Sequence, residues 1–158
     1  FLHYLLLFAL MVDANCISDR SLSHTELRCP GNDWYEFGEF CYKAFDEKKT
    51  WHAARSECRR LGADLVSIMS LTEQSWLESY LYLGTEATND VWTGLNDLDF
   101  SGYFTWSDHH EVTFTYWSPG EPNNHLDFNE DCVEMYYQNG TSFWNDINCE
   151  VTTRRTVV

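Results

Sequence analysis

VWTGLNDLDFSGYFTW, Val91 to Trp106, is where the pattern of the chain turns over. Its ends, VWTGL and GYFTW, are rich in aromatic and β-branched residues, which suit a pleated, half-buried surface. Pieces of the same kind follow: VTFTYW from Val112, CVEMYY from Cys132 and SFW from Ser142, separated by Gly, Asn, Asp and Pro. Upstream the rhythm is helical. TWHAARSECRRLGADL, from Thr50, places Trp51, Ala54, Cys58 and Leu61 on one helical face, with Thr50 as N-cap and Gly62 as stop. Ser70-Leu71-Thr72-Glu73 has the form of a capping box, and Leu77, Tyr80 and Leu81 extend an apolar face to Gly84. Before both helices, Cys29 and Cys41 bracket a Gly-punctuated stretch that predicts a hairpin closed by a local disulfide. Helices first and strands afterwards predict an α+β domain.

The chain has 158 residues, 44% hydrophobic and 16% aromatic, enough for one domain with a substantial core. Its formal charge of −15, with only 10 Lys and Arg, argues against a nucleic-acid partner. Residues 1–14, FLHYLLLFALMVDA, read as a secretory signal that lacks its charged start and initiator Met. The run is too short to span a bilayer and no later apolar stretch does so, so no membrane insertion is expected. A secreted product then starts near Asn15, with residues 15–28 as a polar leader and 29–158 as the domain. Secretion makes the 6 cysteines disulfide candidates and the sequon Asn139-Gly140-Thr141 a glycosylation site.

The long connection from Asp108 to Asp131 holds EPNNHLDFNED, a segment crowded with oxygen ligands and almost free of hydrophobic rhythm. Connections of that length in a compact domain are usually functional. Hard cations such as Ca²⁺ take six to eight oxygens from carboxylates, amides, carbonyls and water. Glu121, Asn123, Glu130, Asn145 and Asp146 offer such side chains. His109, His110 and His125 lack zinc-ligand spacing with any free Cys and read as surface residues. No nucleophile elbow, His-Glu-x-x-His or phosphate loop is present, so no enzymatic activity is expected.

Glu121-Pro122-Asn123, then Glu130-Asp131-Cys132, then Trp144-Asn145-Asp146 followed by Cys149, resembles the carbohydrate-recognition domain of C-type lectins, of the mannose-type class. The resemblance covers about residues 29–158 and includes Trp92-Thr93-Gly94-Leu95, similar to the family's core Trp-Ile-Gly-Leu motif. The run from Gly102 to Asp108 looks nearest to mannose-receptor type domains. It implies two helices, short antiparallel sheets and a long calcium-binding loop in which Glu121, Asn123, Glu130, Asn145 and Asp146 hold one Ca²⁺. Two vicinal sugar hydroxyls would complete the coordination and bond to Glu121, Asn123, Glu130 and Asn145. Mannose, N-acetylglucosamine and fucose-type glycans on glycoproteins or cell surfaces are the implied partners. Weak single sites would gain avidity by clustering. The alternative reading is a lectin-like module that binds protein and no sugar.

The resemblance also implies the disulfides Cys29–Cys41 and Cys132–Cys149, with a third from Cys58 to the last strand. Eight positions past Cys149 stands Val157 and no cysteine follows, so either the last residues depart from the family's sequence or Val157 faces a lone Cys58, and Cys16 is left over, for Cys58 or for another chain. Leu126 stands where the family usually has Gly, in a loop one residue longer than its pattern. Asp97 and Asp131 match part of an auxiliary calcium site, but Ser101 replaces an acid there, so that site is expected to be weak or absent.

Overall fold

A computed structural model describes residues 29–82, 90–125, 129–152 and 154–158; the expected signal and leader, Cys16, Gly84 and Leu126 lie outside the described residues. The Cys-bracketed stretch is a hairpin of β1 (Tyr35–Phe37) and β2 (Phe40–Tyr42), closed by the Cys29–Cys41 disulfide. Gly38, at φ 59, opens its two-residue turn, a conformation that disfavours residues with a Cβ.

Helix α1 (Trp51–Arg60) begins where the sequence predicts, the Thr50 hydroxyl accepting from the Ala53 N–H at 3.3 Å. Gly62, at φ 78, ends it: the Gly62 and Ala63 N–H groups donate back to the Arg59 and Cys58 carbonyls in a Schellman arrangement. Trp51, Ala54 and Cys58 are buried, whereas Leu61 is the C-cap and is 39% exposed, so it leaves the predicted face. Helix α2 (Leu71–Tyr82) starts at Ser70, whose Oγ accepts from the Glu73 N–H. The reciprocal half of the capping box is displaced by one residue. The Glu73 carboxylate takes the N–H of Met69 at 2.7 Å and the hydroxyl of Tyr42.

The main sheet runs β3 (Ala44–Lys49), β8 (Arg154–Val157), β4 (Val91–Asn96), β6 (Cys132–Gln138), β7 (Thr141–Ile147), with β5 (Thr105–Trp106) also on β4. It is antiparallel except at β4–β8, which pair in parallel because the chain's end returns between the first and the central strand. GYFTW contributes only Thr105 and Trp106 to a strand. VTFTYW forms none: apart from one bridge, Trp117 to Trp144, it runs beside β7 unpaired, although its burial alternates. A two-residue turn, Asn139 and Gly140 at φ 54 and 92, joins β6 to β7.

Every residue of β4 is buried. Trp51, Trp92, Trp106 and Trp144 are buried in two adjoining clusters, and three of them satisfy their indole N–H internally: Trp51 on the Thr93 carbonyl, Trp92 on that of Lys49, Trp144 on the Gln74 side chain. Buried Gln74 also donates to Ser142 Oγ at 2.7 Å, which locks α2 to β7. A core fastened this way is rigid enough to hold a long loop at its edge.

Candidate functional site

The oxygen-rich loop leaves the sheet beside Trp117 and returns at β6, whose first residue, Cys132, is bridged to Cys149 just beyond β7. That bridge ties the end of the loop, two residues after Glu130, to the strand that carries Asn145 and Asp146. Val133 is opposite Asp146 and Glu134 is opposite Asn145. The Glu121-Pro122 peptide bond is cis.

Asp146, nearly fully buried, organises the loop: one carboxylate oxygen accepts from the Asn123 N–H at 3.0 Å and the other from the Asn124 N–H at 2.8 Å. The Asn123 amide donates to Glu121 Oε1 at 2.8 Å, donor to acceptor within the pair itself. Glu130 Oε2 accepts from the His125 N–H, and the Glu130 N–H donates to Asn124 Oδ1. Four of the five predicted residues thus form one hydrogen-bonded constellation. The fifth, Asn145, joins at second hand: its amide donates to buried Glu134 at 3.1 Å. That bond consumes an N–H and leaves its carbonyl oxygen to point elsewhere.

Charge is the site's unsolved problem. Burial raises the Glu121 carboxyl above the usual carboxylate range, and the adjacent Asp146 carboxyl and the negative charge of Glu130 raise it further. Glu121 Oε2 is buried with no hydrogen-bond partner. An orphaned carboxylate oxygen facing two more acids fits a hard cation, and the all-oxygen donor set suits Ca²⁺ and not Zn²⁺. Among the described residues no group of three or more His, Cys, Asp or Glu is by itself arranged to hold a metal, and Asp146 and Glu130 accept from loop N–H groups.

Next to this constellation lies a cleft of about 110 Å³ lined by Asp97, Ser101, Gly102, Phe104, Pro122, Asn124 and Asp146. Asp97 Oδ2 accepts from the Gly102 N–H at 2.6 Å, and its Oδ1 is buried without a partner. Asp131 lines a different cleft, and burial, then the charge of Asp97, pushes its carboxyl up. Asn124 and Glu134 were missed by sequence reasoning. Asn124, at φ 47, carries a conformation that Asn tolerates, but only its contacts reveal that it staples Glu130 to Asp146. His109, His110 and His125 are exposed, and His110 pairs with Asp108 at 2.9 Å.

The sequence model of the Lectin C-type domain matches residues 47–157, so the chain belongs to the C-type lectin family, whose members are binding modules that generally take Ca²⁺ and carbohydrate. It is 38% identical over 132 residues to a C-type lectin of Micrurus corallinus, covering 82% of this chain and 83% of that one. It is 40% identical over 116 residues to C-type mannose receptor 2 of Rattus norvegicus, where the match is 73% of this chain and only 8% of that protein. Among solved structures, the cow carbohydrate-recognition domain of CD23, studied in the presence of a GlcNAc2Man3 oligosaccharide, matches with a TM-score of 0.72 at 36% identity, covering 82% of this chain and 92% of that one. A calcium-independent type II antifreeze protein shares the fold at 26% identity and a TM-score of 0.70, with coverage of 82% and 91%. The fold alone therefore does not decide whether calcium is used, and the side chains in the loop must.

Proposed function

We propose that this domain is a secreted, calcium-dependent lectin with mannose-type preference, binding its ligand without transforming it. The observation that carries the reading is the buried, unpartnered oxygen of Glu121 among like charges, with the Asn123 amide fixed beside it. Glu121, Asn123, Glu130, Asn145 and Asp146 would hold the Ca²⁺, which supplies open coordination positions for two neighbouring hydroxyls of one sugar.

The side chains choose the sugar. Glu121 accepts a hydrogen bond and Asn123 donates one, so the pair dictates which way a hydroxyl between them is polarised; Glu130 and Asn145 would repeat the pattern on the second hydroxyl. That order favours equatorial 3- and 4-hydroxyls, as in mannose and N-acetylglucosamine. Glu134, by engaging one Asn145 N–H, keeps the amide from rotating. A shallow site of this kind gives a Kd of about 1 mM, so clustering of copies would supply useful avidity. Residues 1–14 would direct export, and exposed Asn139, at the tip of the β6–β7 turn, would carry an N-glycan. Among the described residues no helix is long and apolar enough to cross a membrane.

The test is retention of the protein on immobilised mannose in millimolar calcium, followed by a chelator wash. Retention and release by chelator support the reading. Passage of soluble, monodisperse protein straight through the column would sink it, in favour of a module that binds protein. Exchanging Glu121 for Gln together with Asn123 for Asp should move retention from mannose towards galactose.

A further inference from the structure

Asn124 stands outside the predicted ligand set yet touches two of its members. Its main-chain N–H donates to Asp146 Oδ2 at 2.8 Å, and its side-chain Oδ1 accepts from the Glu130 N–H at 2.9 Å. The two acids come from separate parts of the chain. Asp146 sits on β7, opposite Val133 of β6, whereas Glu130 lies on the approach to β6, two residues before Cys132. The next residue, His125, donates its own N–H to Glu130 Oε2 at 2.7 Å, so Glu130 is held by both its main chain and its carboxylate.

Conformation does not account for the residue type. Asn124 has φ 47, a left-handed conformation that glycine adopts more freely. Asparagine tolerates it and adds an acceptor oxygen, which here reaches the Glu130 N–H. Metal ligands held by such outer contacts need less ordering when the ion arrives. Resting on the calcium reading above, we propose that Asn124 is a positioning residue for the ion, and that its side-chain bond to Glu130 sets calcium affinity by fixing Glu130 relative to Asp146 before the ion binds. Asn124 acts through Glu130 and is not itself a ligand.

The experiment compares the parent protein with Asn124→Gly and Asn124→Asp. The Gly variant keeps the left-handed turn and the N–H to Asp146 but loses the acceptor, whereas the Asp variant keeps an acceptor oxygen. Calcium binding is measured without sugar, by calorimetric titration, and exchange of the Glu130 amide proton is followed by NMR in chelator. Asn124 is exposed, and thermal melts in chelator check that each variant is folded. The Gly variant should bind calcium about tenfold more weakly and exchange its Glu130 amide proton faster. The Asp variant should bind calcium at least as tightly as the parent and protect the Glu130 amide equally well. Parental calcium affinity in the Gly variant, or an Asp variant as weak as the Gly variant, overturns the proposal and leaves the calcium reading standing. Failure of the parent to bind calcium overturns both.

Discussion

Glu121 shows at the scale of one residue what the loop leaves unsatisfied. One oxygen is satisfied by the Asn123 amide and the other is buried and unsatisfied, with Asp146 and Glu130 adding like charge. A carboxyl raised in the folded state favours the protonated form, so its ionisation works against the fold as pH rises above the ordinary value of 4.5. In chelator at neutral pH, Glu121→Gln should therefore be more stable than the parent, by about 1 kcal/mol. In millimolar calcium the parent should gain thermal stability and the variant should not. Equal calcium-induced shifts in thermal melts of the two proteins would remove Glu121 from the ligand set. Cys58 is the opposite case, a group whose burial favours the native neutral form. Burial and, less, the charge of Asp64 push its thiol up from 9.0 to about 12. The thiol is protonated at neutral pH and its reaction with iodoacetamide should await unfolding. Stability should decline as pH rises from 9.0 towards 12, where only the unfolded chain ionises. Rapid alkylation of the native protein would contradict this placement.

At the scale of elements, β4 is the least forgiving. A Cβ on Gly94 would lie 2.7 Å from Ser107 Oγ and 3.0 Å from the Leu65 carbonyl oxygen, and Gly94 also exchanges main-chain bonds with Val66 and Ser107. The hydroxyl can turn away but the carbonyl cannot. Gly94→Ala should cost about 1–3 kcal/mol, read as a lowered urea midpoint with an unchanged slope. The two helices were legible because their signals are local: Thr50 and Gly62 act on their own turns. Strand β3, AFDEKK, was not. It is an edge strand with a run of charges, and only its pairing with β8 reveals it. VTFTYW erred the other way, since its alternation is real but β7 meets it at a single bridge. Buried Glu73 and Gln74 on α2 were invisible to an apolar pattern, because their partners Tyr42, Ser142 and Trp144 lie far along the chain.

The whole molecule is closed by β8, which inserts between β3 and β4 and carries the chain's end into the core. The order of the loop motifs picked out Glu121, Asn123, Glu130 and Asp146, which hydrogen bonds in the folded loop bring together, whereas Asn124 and Glu134 depend on contacts across the loop and the sheet and could not be read from spacing. The register of β8 is likewise a property of the closed fold. Counting from Cys149 placed Val157 opposite Cys58, but alternation along the strand assigns Val157 to the cluster of Tyr42, Leu77 and Trp144. Val158 shares the other cluster with Cys58 and the Cys132–Cys149 bridge. The position equivalent to the family's third bridge is therefore Val158. Val158→Cys should oxidise with Cys58 when the protein folds under oxidising conditions and stabilise the domain by about 2–5 kcal/mol, the range typical of a native bridge in a small domain. Val157→Cys should leave its thiol unpaired with Cys58 and weaken the packing against Leu77. Thiol titration in denaturant, with and without prior reduction, separates the two variants. A bridge formed by the residue-157 variant and not by the residue-158 variant would mean that the last strand sits one residue out of the register described, with every side chain of β8 on the opposite face.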